Sequence, residues 1–212
     1  MAALDFKKEY KDLYQPGQKP SLIDVPEIPF VAVRGKGNPN ASDGDYAAAL
    51  AVLYALSYTI RMSGRGGHTI DGFFEYVVPP LEGLWWMADG TPGVDYGDKD
   101  GFQWISMIRL PDFATDQVFS WAQQEAAQKK GLDTSLAERL MLREGLCVQC
   151  LHLGPYDDEP ATIARLDHFV EEAGYRLDFS AGRRHHEIYL SDPRRTSPDK
   201  LRTVIRHPVA RI

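Results

Sequence analysis

Two runs of the chain, Phe73-Phe74-Glu75-Tyr76-Val77-Val78 and His185-His186-Glu187-Ile188-Tyr189-Leu190, each place a glutamate third in a strand-like segment that follows a long helical pattern. A recurring unit of this kind constrains the fold strongly, because one copy cannot bury its apolar face alone and must use the other. The elements around the two runs recur in the same order. In the first part, Leu22–Val25 and Phe30–Arg34 read as strands separated by Pro26 and Pro29, residues that suit an edge or a break. Asn38-Pro39-Asn40 ends the second of them, and Ser42 and Asp43 can cap the next segment. In that segment Tyr46, Leu50, Leu53, Tyr54 and Tyr58 recur at helical spacing as far as Ser63-Gly64. Phe73–Val78, a Pro79-Pro80 turn and Leu84–Met87 read as an antiparallel hairpin. A Gly- and Asp-rich loop from Ala88 to Gly101 leads to a strand at Phe102–Arg109. The helix at Thr115–Lys130 carries lysines in its last turn and Gly131 after it, as capping and dipole both favour. The last third gives a strand at Leu146–Leu153, a helix from about Glu159 to Ala173, and strands at Arg184–Leu190 and Lys200–His207.

The expected class is α+β. Two β-α-β-β modules form a pseudo-two-fold antiparallel sheet with helices on one face, which leaves the sheet's other face for a ligand cleft between the halves. One domain is expected over residues 1–212, with an N-terminal surface arm at 1–20 and a first module at about 21–110. A connecting helical segment comes next at about 111–144, and a second module at about 145–212.

Composition excludes several function classes. Hydrophobic residues at 43% supply enough core to offset chain entropy, so disorder is not expected. With 24 Lys+Arg against 30 Asp+Glu, the formal charge of −6 lacks the basic excess that phosphate backbones require, so no nucleic-acid partner is expected. No apolar run approaches the roughly 18 residues of a membrane span. Met1 is followed by Ala2-Ala3-Leu4-Asp5 rather than an export signal, so a cytoplasmic protein without a membrane partner is expected.

Glu187 is the most informative polar residue. In a strand, His185, Glu187 and Tyr189 share one face, while His186, Ile188 and Leu190 share the other. The aliphatics assign the second face to the core. Glu187 is then either an ordinary surface acid or a carboxylate inside an aromatic cleft, where it attracts cations and takes part in proton transfer. Trp85, Trp86 and Trp104 are candidate walls; Trp85 and Trp86 point to opposite faces, so one of them belongs to the core. Tyr54 and Tyr58, one helical turn apart, serve either as core stripe or as ligand contacts. Cys147-Val148-Gln149-Cys150 is a C-x-x-C pattern on a strand, with its thiols on opposite faces and no second pair, so neither a metal nor a cofactor is expected.

The segment Tyr10-Lys11-Asp12-Leu13-Tyr14-Gln15-Pro16-Gly17-Gln18-Lys19-Pro20, the strand from Phe30 to Gly37 with Asn38-Pro39-Asn40, and above all His185-His186-Glu187-Ile188-Tyr189-Leu190-Ser191-Asp192-Pro193-Arg194-Arg195-Thr196 resemble the stand-alone GyrI-like small-molecule-binding proteins. The resemblance implies two modules of the SHS2 type. It also implies a cleft that holds lipophilic, often cationic, aromatic compounds around a buried glutamate. Relatives serve as effector-binding domains of AraC- and MerR-type regulators, as a gyrase inhibitor, and as hydrolases of cyclopropane-bearing DNA-alkylating compounds. Carried over, the glutamate falls on Glu187 and its strand neighbour on Tyr189, both catalytic, with His185 as a further donor and Trp85 or Trp86 and Trp104 as walls. No regulator-type DNA-binding segment precedes residue 20, so a transcription-factor role is not expected. The implied activity is water addition to a strained ring, and the implied alternative is sequestration of the ligand unchanged.

Overall fold

The computed structural model describes residues 3–41 and 44–212; Ser42 and Asp43, expected to cap the first long helix, lie outside them. The arm contains β1 (Leu4–Asp5), α1 (Phe6–Glu9) and α2 (Lys11–Tyr14), followed by β2 (Ser21–Lys36) and α3 (Asp45–Arg61). Next come β3 (Tyr76–Val77), β4 (Leu81–Met87), β5 (Phe102–Arg109) and α4 (Asp116–Lys130). The chain ends with β6 (Ala137–Leu153), α5 (Glu159–Glu172), β7 (Tyr175–Leu177), β8 (His185–Tyr189) and β9 (Arg202–Arg211).

The class is α+β, built on an antiparallel sheet in the order β6-β2-β5-β4-β8-β9-β7, with β6 also bonded to β9 so that the ladder returns on itself. Two sets of elements, β2-α3-β4-β5 and β6-α5-β8-β9, share one pattern of pairing. In each, the first strand bonds the last and the last bonds the third. The β2–β6 and β4–β8 ladders join the sets. The strand equivalent to β8 is therefore β4, not residues 73–78. Only Tyr76 and Val77 of that run are strand, and they pair in parallel with β1. Phe73, Phe74 and Tyr76 instead pack around Phe113 at ring separations of 5.2, 5.1 and 5.9 Å. Aromatic runs read as strands because β-propensity largely measures packing on a half-buried surface, and this cluster offers such a surface.

Two other expectations change. Pro26 and Pro29 do not divide β2, which runs unbroken from Ser21 to Lys36. The Pro29 carbonyl accepts from Leu110 N–H at 2.8 Å, on the side away from β6, so its missing donor takes nothing from that ladder. The register passes over Pro26, from Val25↔Gly145 to Glu27↔Arg143, at the loss of one rung. The strand expected at Leu146 begins at Ala137, because residues 137–146 complete the ladder to β2.

The largest correction concerns the faces. Directly opposed residues of an antiparallel ladder point the same way. Glu187 opposes Gly83 and Ile205, His185 opposes Trp85, and Trp85 opposes Trp104, so these residues share a face. The helices cover that face: Tyr46 of α3 meets Trp85 and Trp104 at 5.7 and 5.1 Å, and Leu166 of α5 joins Ile205 in one apolar cluster. The opposite face, carrying His186, Glu82 and Arg206, is sealed by the arm. Tyr14 donates to Glu82 at 3.1 Å, and Arg206 donates to the Leu13 carbonyl at 2.9 Å. Phe6, Leu13 and Tyr14 are buried, so the arm supplies core and is not a surface strap. Glu187 thus lies beneath the helices, on the side of the sheet away from the arm.

Candidate functional site

Alternation along β8 brings His185, Glu187 and Tyr189 together, and the Glu187 residue is only 6% exposed. Its Oε1 lies 2.9 Å from His185 Nε2, and its Oε2 accepts from the Tyr189 hydroxyl at 2.7 Å. The Tyr189 oxygen in turn accepts from Trp85 Nε1 at 3.0 Å. That approach depends on Gly83, opposite Glu187, where a Cβ would stand 2.5 Å from Trp85 Nε1 and 3.2 Å from the Tyr189 hydroxyl. Behind Trp85, Trp104 is fully buried, and its ring fills the space that a Cβ on Gly35 would occupy.

Two residues from outside the sheet complete the site. Tyr96, from the loop at 88–101, places its hydroxyl 3.2 Å from Glu187 Oε1 and 2.7 Å from Glu159 Oε2. Glu159 opens α5, is fully buried, and leaves its Oε1 without a partner among the described residues. Burial, reinforced by the charge of Glu187, holds the Glu159 carboxyl well above the usual carboxylate range. Burial also pushes Glu187 upward, but its contacts with His185 and the Tyr189 hydroxyl outweigh that and hold it low. The two carboxyls are thus driven apart, Glu159 toward its protonated form and Glu187 toward its ionised one. A phenol has a single hydrogen, so Tyr96 bonds both carboxyls at once when Glu159 donates to it and it donates to Glu187. Burial, together with the charges of Glu159 and Glu187, pushes Tyr156 up to about 12, and Tyr156 packs edge-on to Tyr189 at 5.7 Å.

The family model for the GyrI-like small molecule binding domain matches residues 18–210. The chain belongs to this family. It is similar to an uncharacterized conserved protein from Listeria innocua, with 46% identity, a TM-score of 0.92, and coverage of 98% of this chain and 100% of that one. It is also similar to a protein described as a hydrolase from Listeria innocua, with 44% identity, a TM-score of 0.88, and coverage of 98% and 100%. The EcmrR C-terminal domain shares the fold at 13% identity and a TM-score of 0.53, over 92% of this chain and 98% of that one. No curated protein matches the sequence.

Within this GyrI-like domain the expected wall residues separate. Trp85 touches the carboxylate's partner Tyr189, and Trp104 stands behind Tyr46. Trp86 points to the other face, where it is half-buried, donates to Gln103 at 3.1 Å, and lies 4.6 Å beneath the Arg184 guanidinium. Tyr54 and Tyr58 are 37% and 50% exposed and stack on each other at 6.5 Å. A cavity of about 180 Å³ lined by Trp85, Trp86, Met87, Phe179, Arg184 and His185 ends against the histidine that contacts Glu187. Burial raises the Cys147 and Cys150 thiols to about 12 and about 11, which leaves neither as a thiolate. Oxygen and nitrogen atoms of Glu159, His185 and Glu187 lie within 4.8 Å of one another, a spacing that could hold a cation, but both His185 nitrogens already face Glu187 and His207. Among the described residues, no helix is long and apolar enough to cross a membrane.

Sequence reasoning missed Tyr96, Glu159, Tyr46 as a site residue, and His207. Tyr96 stands in a Gly- and Asp-rich loop with no period to place it, and Glu159 ends the acidic run Asp157-Asp158-Glu159, which reads as a solvated helix start.

Proposed function

We propose that this GyrI-like domain binds lipophilic, often cationic aromatic molecules beside Glu187 and adds water to cyclopropane-bearing, DNA-alkylating electrophiles as a detoxifying hydrolase. The observation that carries this reading is the buried carboxyl pair Glu187 and Glu159 bridged by the Tyr96 hydroxyl; burial favours the proton on Glu159 while His185 and Tyr189 favour the ionised form of Glu187. Such a pair offers a base and a hydrogen-bond donor at neutral pH inside apolar walls. The ligand displaces Tyr96. A water oxygen then bonds to a ring carbon while Glu187 takes the water's proton, and the ring C–C bond breaks with its electrons passing to the conjugated carbonyl, whose enolate takes a proton from solvent on release. The Glu159 carboxyl donates a hydrogen bond to that oxygen as it gains charge. Tyr189, whose proton is directed at Glu187 and whose oxygen accepts from Trp85, orients the base and does not itself donate to the substrate. The Listeria relatives described as hydrolases, 44% identical, support the reading.

A second reading keeps binding and drops turnover. Trp85 packs with Tyr46 and Phe102 at 5.7 and 5.6 Å beside an ionised carboxylate, an arrangement suited to holding an aromatic cation. Mass spectrometry of cyclopropane electrophiles and lipophilic cations incubated with the protein separates the two. Hydrolysis gives a product heavier by one water, and Glu187→Gln lowers the rate by about 10²–10⁴ while ligand is still retained. Retention of unchanged ligand by the wild-type protein overturns the hydrolase and leaves sequestration.

A further inference from the structure

Glu187 has a second polar connection, and it runs away from the ligand. His185 Nδ1 lies 2.7 Å from His207 Nε2. His207 Nδ1 lies 3.7 Å from Asp167 Oδ1 on α5, and both of these buried atoms are otherwise without a partner among the described residues. Asp167 reaches the surface, with 41% of its side chain exposed, whereas the His185 and His207 side chains are 0% and 2% exposed. We infer that Asp167, His207 and His185 form a proton relay that returns Glu187 to its ionised form after each turnover; the inference rests on the hydrolytic reading above.

A ligand that displaces Tyr96 breaks its bridge to Glu159. The Tyr189 hydroxyl meets Trp85, whose indole N–H donates and cannot accept, and the half-buried Tyr46. His185 opens a path of imidazoles that a ligand in the place of Tyr96 leaves intact. Burial lowers His207 to about 4, so it is neutral and carries one N–H, as a relay imidazole must. Two tautomer sets satisfy the two shorter distances, and a bridging water spans the 3.7 Å from His207 Nδ1 to Asp167 Oδ1. With Glu187 ionised, His185 and His207 both carry their hydrogen on Nε2, and the His207 Nδ1 lone pair faces that water. With Glu187 protonated, its hydrogen faces His185 Nε2 and both imidazoles carry hydrogen on Nδ1. Passing from the second set to the first shifts three hydrogens by one bond each and moves one net proton from Glu187 to the Asp167 end of the path, where it reaches solvent. The other ionisable groups facing Glu187 are Tyr189 on its own strand, Tyr96 from the loop, Tyr46 on α3, Tyr156 before α5 and Glu159 on α5; none of them contacts His207.

Two measurements on the full chain test the relay. In protein labelled with nitrogen-15 at histidine, both imidazoles are expected as the Nε2–H form at neutral pH; Nδ1–H on either one there overturns the relay. In hydrolysis of a cyclopropane electrophile, Asp167→Asn and His207→Gln are expected to lower kcat about tenfold in dilute buffer with KM unchanged, and concentrated imidazole restores the rate. A variant that runs at the wild-type rate in dilute buffer, or a slow variant that imidazole does not restore, overturns it. If the wild-type protein turns nothing over, the hydrolytic reading fails separately and the tautomers alone decide whether the hydrogen-bonded path exists.

Discussion

His185 and His186 are adjacent in sequence, yet they serve two buried polar clusters on opposite faces of one strand, and the clusters are balanced differently. On the arm side, His186 lies 2.9 Å from Glu144 and 3.0 Å from Glu82, and Arg206 donates to Glu144 at 2.8 Å and to Gln149 at 3.1 and 2.9 Å. Against its burial, Glu144 raises His186 to about 9, and His186 with Arg206 draws Glu144 down to about 2. Two acids thus meet two cations. On the helix side, Glu187 and Glu159 meet His185, tyrosines and a neutral His207 but no arginine, and burial pushes Glu159 toward its protonated form. The matched cluster fastens the arm to the sheet; the unmatched one retains a base and a donor side by side. Equal burial on two faces of a sheet therefore yields a rivet on one and reactive chemistry on the other, according to which cations are supplied.

The largest test removes a cation from the matched side. Arg206→Met leaves Glu144 short of a partner in the interior and is expected to cost about 3–5 kcal/mol in denaturant unfolding. The pH dependence of stability separates the clusters next, at about 1.4 kcal/mol per unit of pKa difference. His186, raised from 6.5 to about 9, stabilises the fold fully below pH 6.5, and that contribution is lost as pH rises through 9. Glu144, lowered from 4.5 to about 2, stabilises it above pH 4.5, and that contribution is lost as pH falls through 2. His207, lowered from 6.5 to about 4, acts oppositely to His186: the unfolded chain binds its proton first, so stability falls as pH drops from 6.5 to 4. Midpoints measured across pH should lose their alkaline decline in His186→Gln and lose part of their acid decline in His207→Gln. Gly83→Ala forces Trp85 away from Tyr189 and is expected to cost about 1–3 kcal/mol with a shift in tryptophan emission. Tyr96→Phe, which removes one hydroxyl from the unmatched side, should change unfolding free energy by no more than about 1 kcal/mol.

Local periodicity carried much of the fold. The β5 span Phe102–Arg109 and the α4 helix with its closing lysines and Gly131 stop were legible, because alternation and capping are properties of neighbouring residues. The grouping of His185, Glu187 and Tyr189 was legible for the same reason. Which face they occupy was not: Ile188 marks its own face as buried, but nothing in β8 tells that α3 and α5 bury the other one as well. Tyr96 and Glu159 reach Glu187 across 91 and 28 positions respectively, through a loop turn and a helix start whose placement depends on the finished sheet.

Arg206 holds the Leu13 carbonyl across 193 positions. Phe6 packs on Tyr76 and Tyr14 on Glu82, but the latch itself waits for β9. Closure of the arm is accordingly a late step of assembly, and a nascent chain arrested before β9 presents a half-fastened greasy arm that chaperones can recognise.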